Sequence, residues 1–118
     1  MHGAGRSLGP GAEPSAAAAG PSAPSRPRPG AIHRRAHERA LLHRIARCES
    51  SFRPGLIYDA GRYRGAFQFD IETWRSVGGR GDPAAAPPSE QRRRALILLR
   101  RRGLRPWPVC GPRAANRP

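Results

Sequence analysis

The first 30 residues are almost entirely Gly, Ala, Pro and Ser, with Arg6, Arg26 and Arg28 among them. Such a segment has too little apolar surface to offset the entropy of ordering its backbone, so residues 1–30 are expected to form a disordered leader. That leaves residues 31–112 to fold as one small domain, followed by a frayed tail over 113–118. About 80 residues bury only ~60% of their unfolded surface, a marginal core that gains from a covalent staple.

The charge is lopsided. All 22 basic residues are Arg, and the formal net charge is +14. From residue 31 onward, 19 Arg stand against 7 carboxylates. A positive field of that size favours polyanionic partners, whether nucleic acid, anionic lipid or an acidic wall polymer. The absence of Lys excludes Schiff-base and lysine-base chemistry. No apolar run approaches the ~20 residues of a membrane span. His33 and His37 stand at helical i, i+4 spacing but lack a third ligand, so no metal is expected. Arg80-Gly81-Asp82 reads as an incidental loop tripeptide.

Cys48 and Cys110 lie near the two ends of the foldable part. Spacing alone leaves two readings open, one bridge or two unrelated thiols. A bridge would place the chain in an oxidising compartment, secreted or wall-associated. No apolar stretch of roughly 7–15 residues follows Met1, so an export signal is not legible at this start.

Between the cysteines the pattern is mostly helical. Ala40, Leu41, Ile45 and Cys48 share one face of a helix predicted over Ile32–Cys48, broadened by Leu42 and Ala46. Leu56–Tyr58 and Tyr63–Phe69 predict an irregular hairpin about Asp59-Ala60-Gly61. Asp70 predicts an N-cap for a short helix to Val77, with Trp74 inward and Gly78 closing it. Ser89 predicts the N-cap of a third helix, Glu90–Arg102, with Ala95, Leu98 and Leu99 inward and three Arg in its last turn. The fold class is therefore α+β and mostly helical, with Trp74 and Trp107 as core residues.

Among the carboxylates, Asp70 and Glu90 have capping roles, Asp59 a turn role, and Glu38 an exposed face. Glu49 differs. It follows a Cys on the apolar face, at the helix end where partial negative charge disfavours another anion. Desolvation there would raise its pKa further, the condition a general acid needs near neutral pH. The alternative is a surface Glu paired with one of the many Arg.

The residues in order carry a resemblance. Ile45-Ala46-Arg47-Cys48-Glu49-Ser50 is followed by Tyr63-Arg64-Gly65-Ala66-Phe67-Gln68-Phe69-Asp70. Then come Thr73-Trp74, Val77-Gly78-Gly79, Ser89-Glu90-Gln91, Arg94-Ala95, Leu99, Arg102-Gly103 and Trp107-Pro108-Val109-Cys110. Over roughly residues 40–111 this set resembles the catalytic domain of the resuscitation-promoting factors, actinobacterial transglycosylase-like domains of lysozyme-like fold. The resemblance implies cleavage of peptidoglycan between N-acetylmuramic acid and N-acetylglucosamine, with Glu49 as the catalytic acid. It also implies a Cys48–Cys110 disulfide, and substrate-cleft positions for Thr73 and Gln68, with Tyr63 beside them. An Arg-only, Ala/Gly/Pro-rich composition agrees with a GC-rich actinobacterial genome. Two departures stand out. Ser51 and Phe52 replace a usual glycine pair, and Arg102 stands where some members carry Gln.

One acid suffices for a lytic transglycosylase, because the substrate's N-acetyl group can stabilise the sugar cation and its 6-hydroxyl can attack. Asp59 is the runner-up second carboxylate; beside Glu49 it would favour a hydrolytic lysozyme mechanism. The expected partners are peptidoglycan strands and anionic wall polymers, with no nucleic acid, no membrane span and no cofactor, and the chain acting as a monomer. Two rivals remain: a peptidoglycan-binding or signalling module without turnover, and a basic nucleic-acid-binding protein.

Overall fold

A computed structural model describes residue 26 and residues 28–117, and the leader predicted over 1–30 falls largely outside those residues. In chain order the elements are α1 (Pro29–Ser50), β1 (Ile57–Tyr58), β2 (Tyr63–Arg64), α2 (Ile71–Ser76), a 3-10 turn (Pro83–Ala85), α3 (Pro88–Arg102) and α4 (Cys110–Ala115). The architecture is a small α+β domain of lysozyme-like type.

Helix α1 starts at Pro29, two residues inside the segment expected to be a leader. Proline at the first helical position costs nothing, since its missing N–H would have had no partner there. The buried residues of α1 begin only at Leu41 and continue through Leu42, Ile45, Ala46 and Ser50. The core therefore grips the C-terminal half of α1, the half that carries Cys48 and Glu49.

The hairpin is shorter than expected. Ile57 faces Arg64 and Tyr58 faces Tyr63 in antiparallel register, and an isolated bridge joins Arg64 to Phe69. Helix α2 begins as predicted: the Asp70 carboxylate accepts from the Thr73 N–H at 2.7 Å. Trp74 is fully buried, and its ring so closely covers Gly79 that a Cβ there would lie 2.3 Å from it. The Trp74 indole N–H donates to the Arg80 carbonyl, which satisfies its one polar atom.

Two expectations fail. Ser89 does not cap α3; the helix begins one residue earlier, at Pro88, and the Pro87 carbonyl accepts from the Glu90 and Gln91 N–H groups. A proline preset at the first position displaces the hydroxyl cap. The tail expected to fray from residue 113 is instead helical to Ala115. Ala114 is 2% exposed, and its carbonyl accepts from Arg44 Nε at 2.9 Å. Gly111 and Pro112 read as breakers, yet both sit in the first turn of α4, where a missing N–H is tolerated.

The core joins Leu42 and Ile45 of α1, Phe67 and Phe69 after the hairpin, Trp74, Ala95 and Leu98 of α3, and Trp107. Each fully buried aliphatic side chain contributes about 1.5–3 kcal/mol relative to exposure. Gln91 lies at 0% exposure in the midst of this apolar set. Its Oε1 accepts from the Ala66 N–H at 2.7 Å, and its Nε2 donates to the Pro54 and Ala86 carbonyls. One amide thereby ties three loops to α3. Gly65 completes the fit: a Cβ there would stand 2.5 Å from Gln91 Oε1.

Cys48 and Cys110 form a disulfide, with Cα atoms 5.7 Å apart and a separation of 62 in sequence. It joins the last turn of α1 to the first turn of α4. Just beyond it α1 stops abruptly, because Ser51 (φ 55°) and Phe52 (φ 63°) both take the left-handed conformation. Their N–H groups donate to the Arg47 and Ala46 carbonyls, capping the helix end. The glycine pair usual at these positions would adopt this turn without strain, whereas L side chains pay about 1–2 kcal/mol each. The substitutions alter the cost of the turn and leave its geometry in place.

Two stability predictions follow from this arrangement. Replacing both cysteines by Ser should lower unfolding free energy by about 4 kcal/mol, the loop-closure entropy of a loop this long. Urea titration of variant and parent checks it. Ser51→Gly should raise stability by about 1 kcal/mol in the same assay, and Phe52→Gly by less, since it also removes the ring contact with His43 at 4.7 Å.

Candidate active site

Glu49 is the penultimate residue of α1, and its carboxyl lines a cleft of about 560 Å³. The hairpin region lines it with Leu56, Tyr58 and Tyr63, and the segment Pro106–Cys110 lines it as well. The floor is Cys48–Ser51 with Arg53 and Gln68. Ser50, buried beside the acid, fixes the turn. Its hydroxyl lies 2.8 Å from the Ala66 carbonyl and 3.0 Å from the Ala46 carbonyl, and accepts from the Arg53 N–H. The hairpin and the end of α1 are thus joined directly beneath Glu49.

Burial raises the Glu49 pKa above the ordinary carboxylate value. Its position at the negative end of α1 acts in the same sense. Despite the 22 Arg of the chain, no ion pair forms at Glu49 among the described residues; the pairs there are Glu38–Arg100, Asp82–Arg64 and Glu90–Arg94. Arg53, the cleft's own cation, turns its Nε to the Ser50 carbonyl at 3.0 Å. Arg47 projects from a different face of α1. The expectation of a surface Glu neutralised by Arg is not met, and a half-buried, unpaired carboxyl stands in an open cleft.

The other expected site residues divide. Tyr63 and Gln68 line the Glu49 cleft and also an adjoining recess of about 150 Å³. Gln68 is held in place by its Nε2, which donates to the Gly65 carbonyl at 2.8 Å and the Leu56 carbonyl at 3.3 Å. Its backbone is left-handed (φ 53°), which turns the side chain inward under the hairpin. Thr73 lies in the adjoining recess with Asp70 and Arg102, further along the groove than Glu49. Arg102 therefore faces the groove as well as completing the last turn of α3. Asp59 is not brought to the site. It is exposed at the hairpin tip (φ 56°), accepts the Arg62 N–H through its backbone carbonyl, and lines neither space.

The sequence reading missed the two apolar rims. Tyr58 is 66% exposed on one side and Val109 60% exposed on the other, both lining the cleft. Exposed apolar side chains that line one cleft offer it apolar contact surface. In sequence Tyr58 reads only as a β-prone residue, and Val109 only as filler before a cysteine. Their pairing is a long-range fact set by the disulfide. Among the described residues no group of His, Cys, Asp and Glu is placed to hold a metal, and no helix is long and apolar enough to cross a membrane.

The comparisons with known proteins agree with this geometry. The model of the transglycosylase-like domain family matches residues 36–110, a span that contains the cleft and both cysteines. The chain is also similar to the resuscitation-promoting factor RpfE of Mycobacterium tuberculosis (strain ATCC 25618 / H37Rv), at 45% identity over 69 residues. That stretch is 58% of this chain and 40% of the relative, so the chain spans about two fifths of that protein's length. With a lone carboxyl in a groove and a family match over most of its folded residues, the chain belongs to the transglycosylase-like domain family.

Proposed function

We propose that this domain cleaves peptidoglycan strands between N-acetylmuramic acid and N-acetylglucosamine, with Glu49 as the acid and then the base. The observation that carries this reading is that Glu49 is the one carboxylate lining its cleft among the described residues, and that burial keeps its proton bound to a higher pH than usual. Protonated Glu49 donates to the glycosidic oxygen as the C1–O bond breaks. The substrate's own N-acetyl carbonyl supports the electron-poor C1. The 6-hydroxyl of the same sugar then attacks C1, and its proton returns to Glu49. The products are a free 4-hydroxyl end and a 1,6-anhydro end, with no water consumed.

A hydrolytic mechanism of the two-carboxylate kind needs a second carboxyl within about 5–10 Å. Asp59 is the wrong candidate, exposed at the hairpin tip outside the groove. Asp70, in the adjoining recess, is engaged as the cap of α2. The groove from Glu49 past Tyr63 and Gln68 to Thr73 and Arg102 suits an extended strand, with Tyr58 and Val109 bracketing sugar rings. The disulfide supports action in an oxidising compartment, outside the cytoplasm.

Glu49→Gln tests the reading in two ways. Release of muropeptides from purified sacculi should fall about a thousandfold, and the parent's products should be lighter by one water than reducing ends. Equal release by parent and variant removes Glu49 from the chemistry; binding to sacculi without release by the parent selects the non-catalytic module. The parent's kcat/KM should fall as pH rises through the raised Glu49 pKa, because only the protonated acid can donate. The same shift acts on stability. The native state holds a proton that the unfolded chain gives up near 4.5, so stability is lost as pH rises from there to the native value. Glu49→Gln should therefore raise the thermal midpoint at pH 7 and leave it unchanged at pH 3.5.

A further inference from the structure

Beside Cys48 lies a second recess of about 310 Å³, lined by Arg44, Arg47, Cys48, Arg113, Ala114 and Arg117. Four guanidinium-bearing side chains converge there with no carboxylate in the lining. None of the four belongs to an ion pair among the described residues. Like charges gathered this way repel unless an anion joins them, and guanidinium forks suit planar carboxylates in particular. Arg44 is preset for this: its Nε is spent on the Ala114 carbonyl at 2.9 Å, which fixes the side chain across the α1–α4 junction.

The location says which anion. Cys48 lines both the recess and the Glu49 cleft, so the two spaces are neighbours on either side of that residue. Arg44, Arg47 and Cys48 stand at i, i+3 and i+4 on one face of α1, and Glu49 lies about 100° further round. The cations are beside the acid without touching it. Resting on the muralytic reading, we infer that this recess binds the carboxylates of the peptide stem carried by the strand being cut, with Arg47, Arg113 and Arg117 as the holding groups. The stem leaves the strand at the lactyl ether of the muramic ring. Four extended residues reach about 13 Å, comparable with the about 10–12 Å width of a helix. The occupant that arrives here with a strand in the cleft is that strand's own acidic branch.

The test compares the full chain with the double variant Arg47→Gln/Arg113→Gln. Both side chains are exposed, and thermal midpoints confirm that the variant folds. Two substrates are used, wall with its stems intact and glycan stripped of stems by an amidase. The ratio of kcat/KM for intact over stripped strands should fall about tenfold in the variant, through KM rather than kcat. An unchanged ratio overturns the proposal. A second arm titrates free stem tetrapeptide into the Glu49→Gln chain, with and without the two Arg substitutions. Salt-sensitive binding that the Arg substitutions abolish is the expected result. Absence of peptide binding overturns the proposal, as does tighter binding of poly(glycerol phosphate), which would assign the recess to phosphodiester polymers. Because this arm needs no turnover, failure of the muralytic reading shows separately, as no release from either strand while the peptide still binds.

Discussion

The disulfide between Cys48 and Cys110 is the constraint on which the rest hangs. It fastens the last turn of α1 to the first turn of α4 and so closes nearly the whole domain into one loop. Glu49 is the next residue after one of its sulfurs, and Val109 precedes the other. The acid and one rim of its groove are therefore set by the same bond. The second fastening is polar: buried Gln91 holds the Ala66, Pro54 and Ala86 backbones, and Ser50 joins α1 to the Ala66 carbonyl. Between them, one covalent and a few hydrogen bonds position a groove that a core this small could not hold by apolar packing alone.

Electrostatics gives the groove its chemical character. In a chain so rich in Arg the natural fate of a carboxylate is neutralisation, and Glu38, Asp82 and Glu90 meet it. Glu49 escapes because the turn after it is so tight. Ser51 and Phe52 reverse the chain in left-handed conformations, Arg53 is drawn back to the Ser50 carbonyl, and Arg44 and Arg47 point away on another helix face. Arg44 and Arg47 instead line a recess with Arg113 and Arg117. One end of one helix thus presents a half-buried carboxyl on one face and a cluster of guanidinium groups on the next.

Much of this was legible in the chain. The apolar stripe of α1, the Asp70 cap, the inward Trp74 and the three-Arg end of α3 are local patterns, and local patterns survive in sequence because their partners are within a turn or two. Glu49 stood out for the same reason, as an acid at an unfavourable helix end beside a cysteine. Capping and fraying were harder to read. Ser89 looked like a cap because hydroxyls usually are; Pro88 took precedence by its fixed backbone. Residues 113–115 were expected to fray, but a disulfide at Cys110 and the approach of Arg44 hold that helix against α1.

The sequence by itself determined α1, α2, α3, the hairpin and the place of a carboxyl at the end of α1, since each depends on side chains close in the chain or on chemistry carried by a single residue. Only the tertiary structure decided that Tyr58 and Val109 line the same cleft, that Asp59 lies outside it, and that four Arg from both ends of the domain share one recess. Those are facts of distance between segments some 50 to 70 residues apart in sequence. No local periodicity encodes them; they exist because the disulfide and the buried Gln91 bring those segments together.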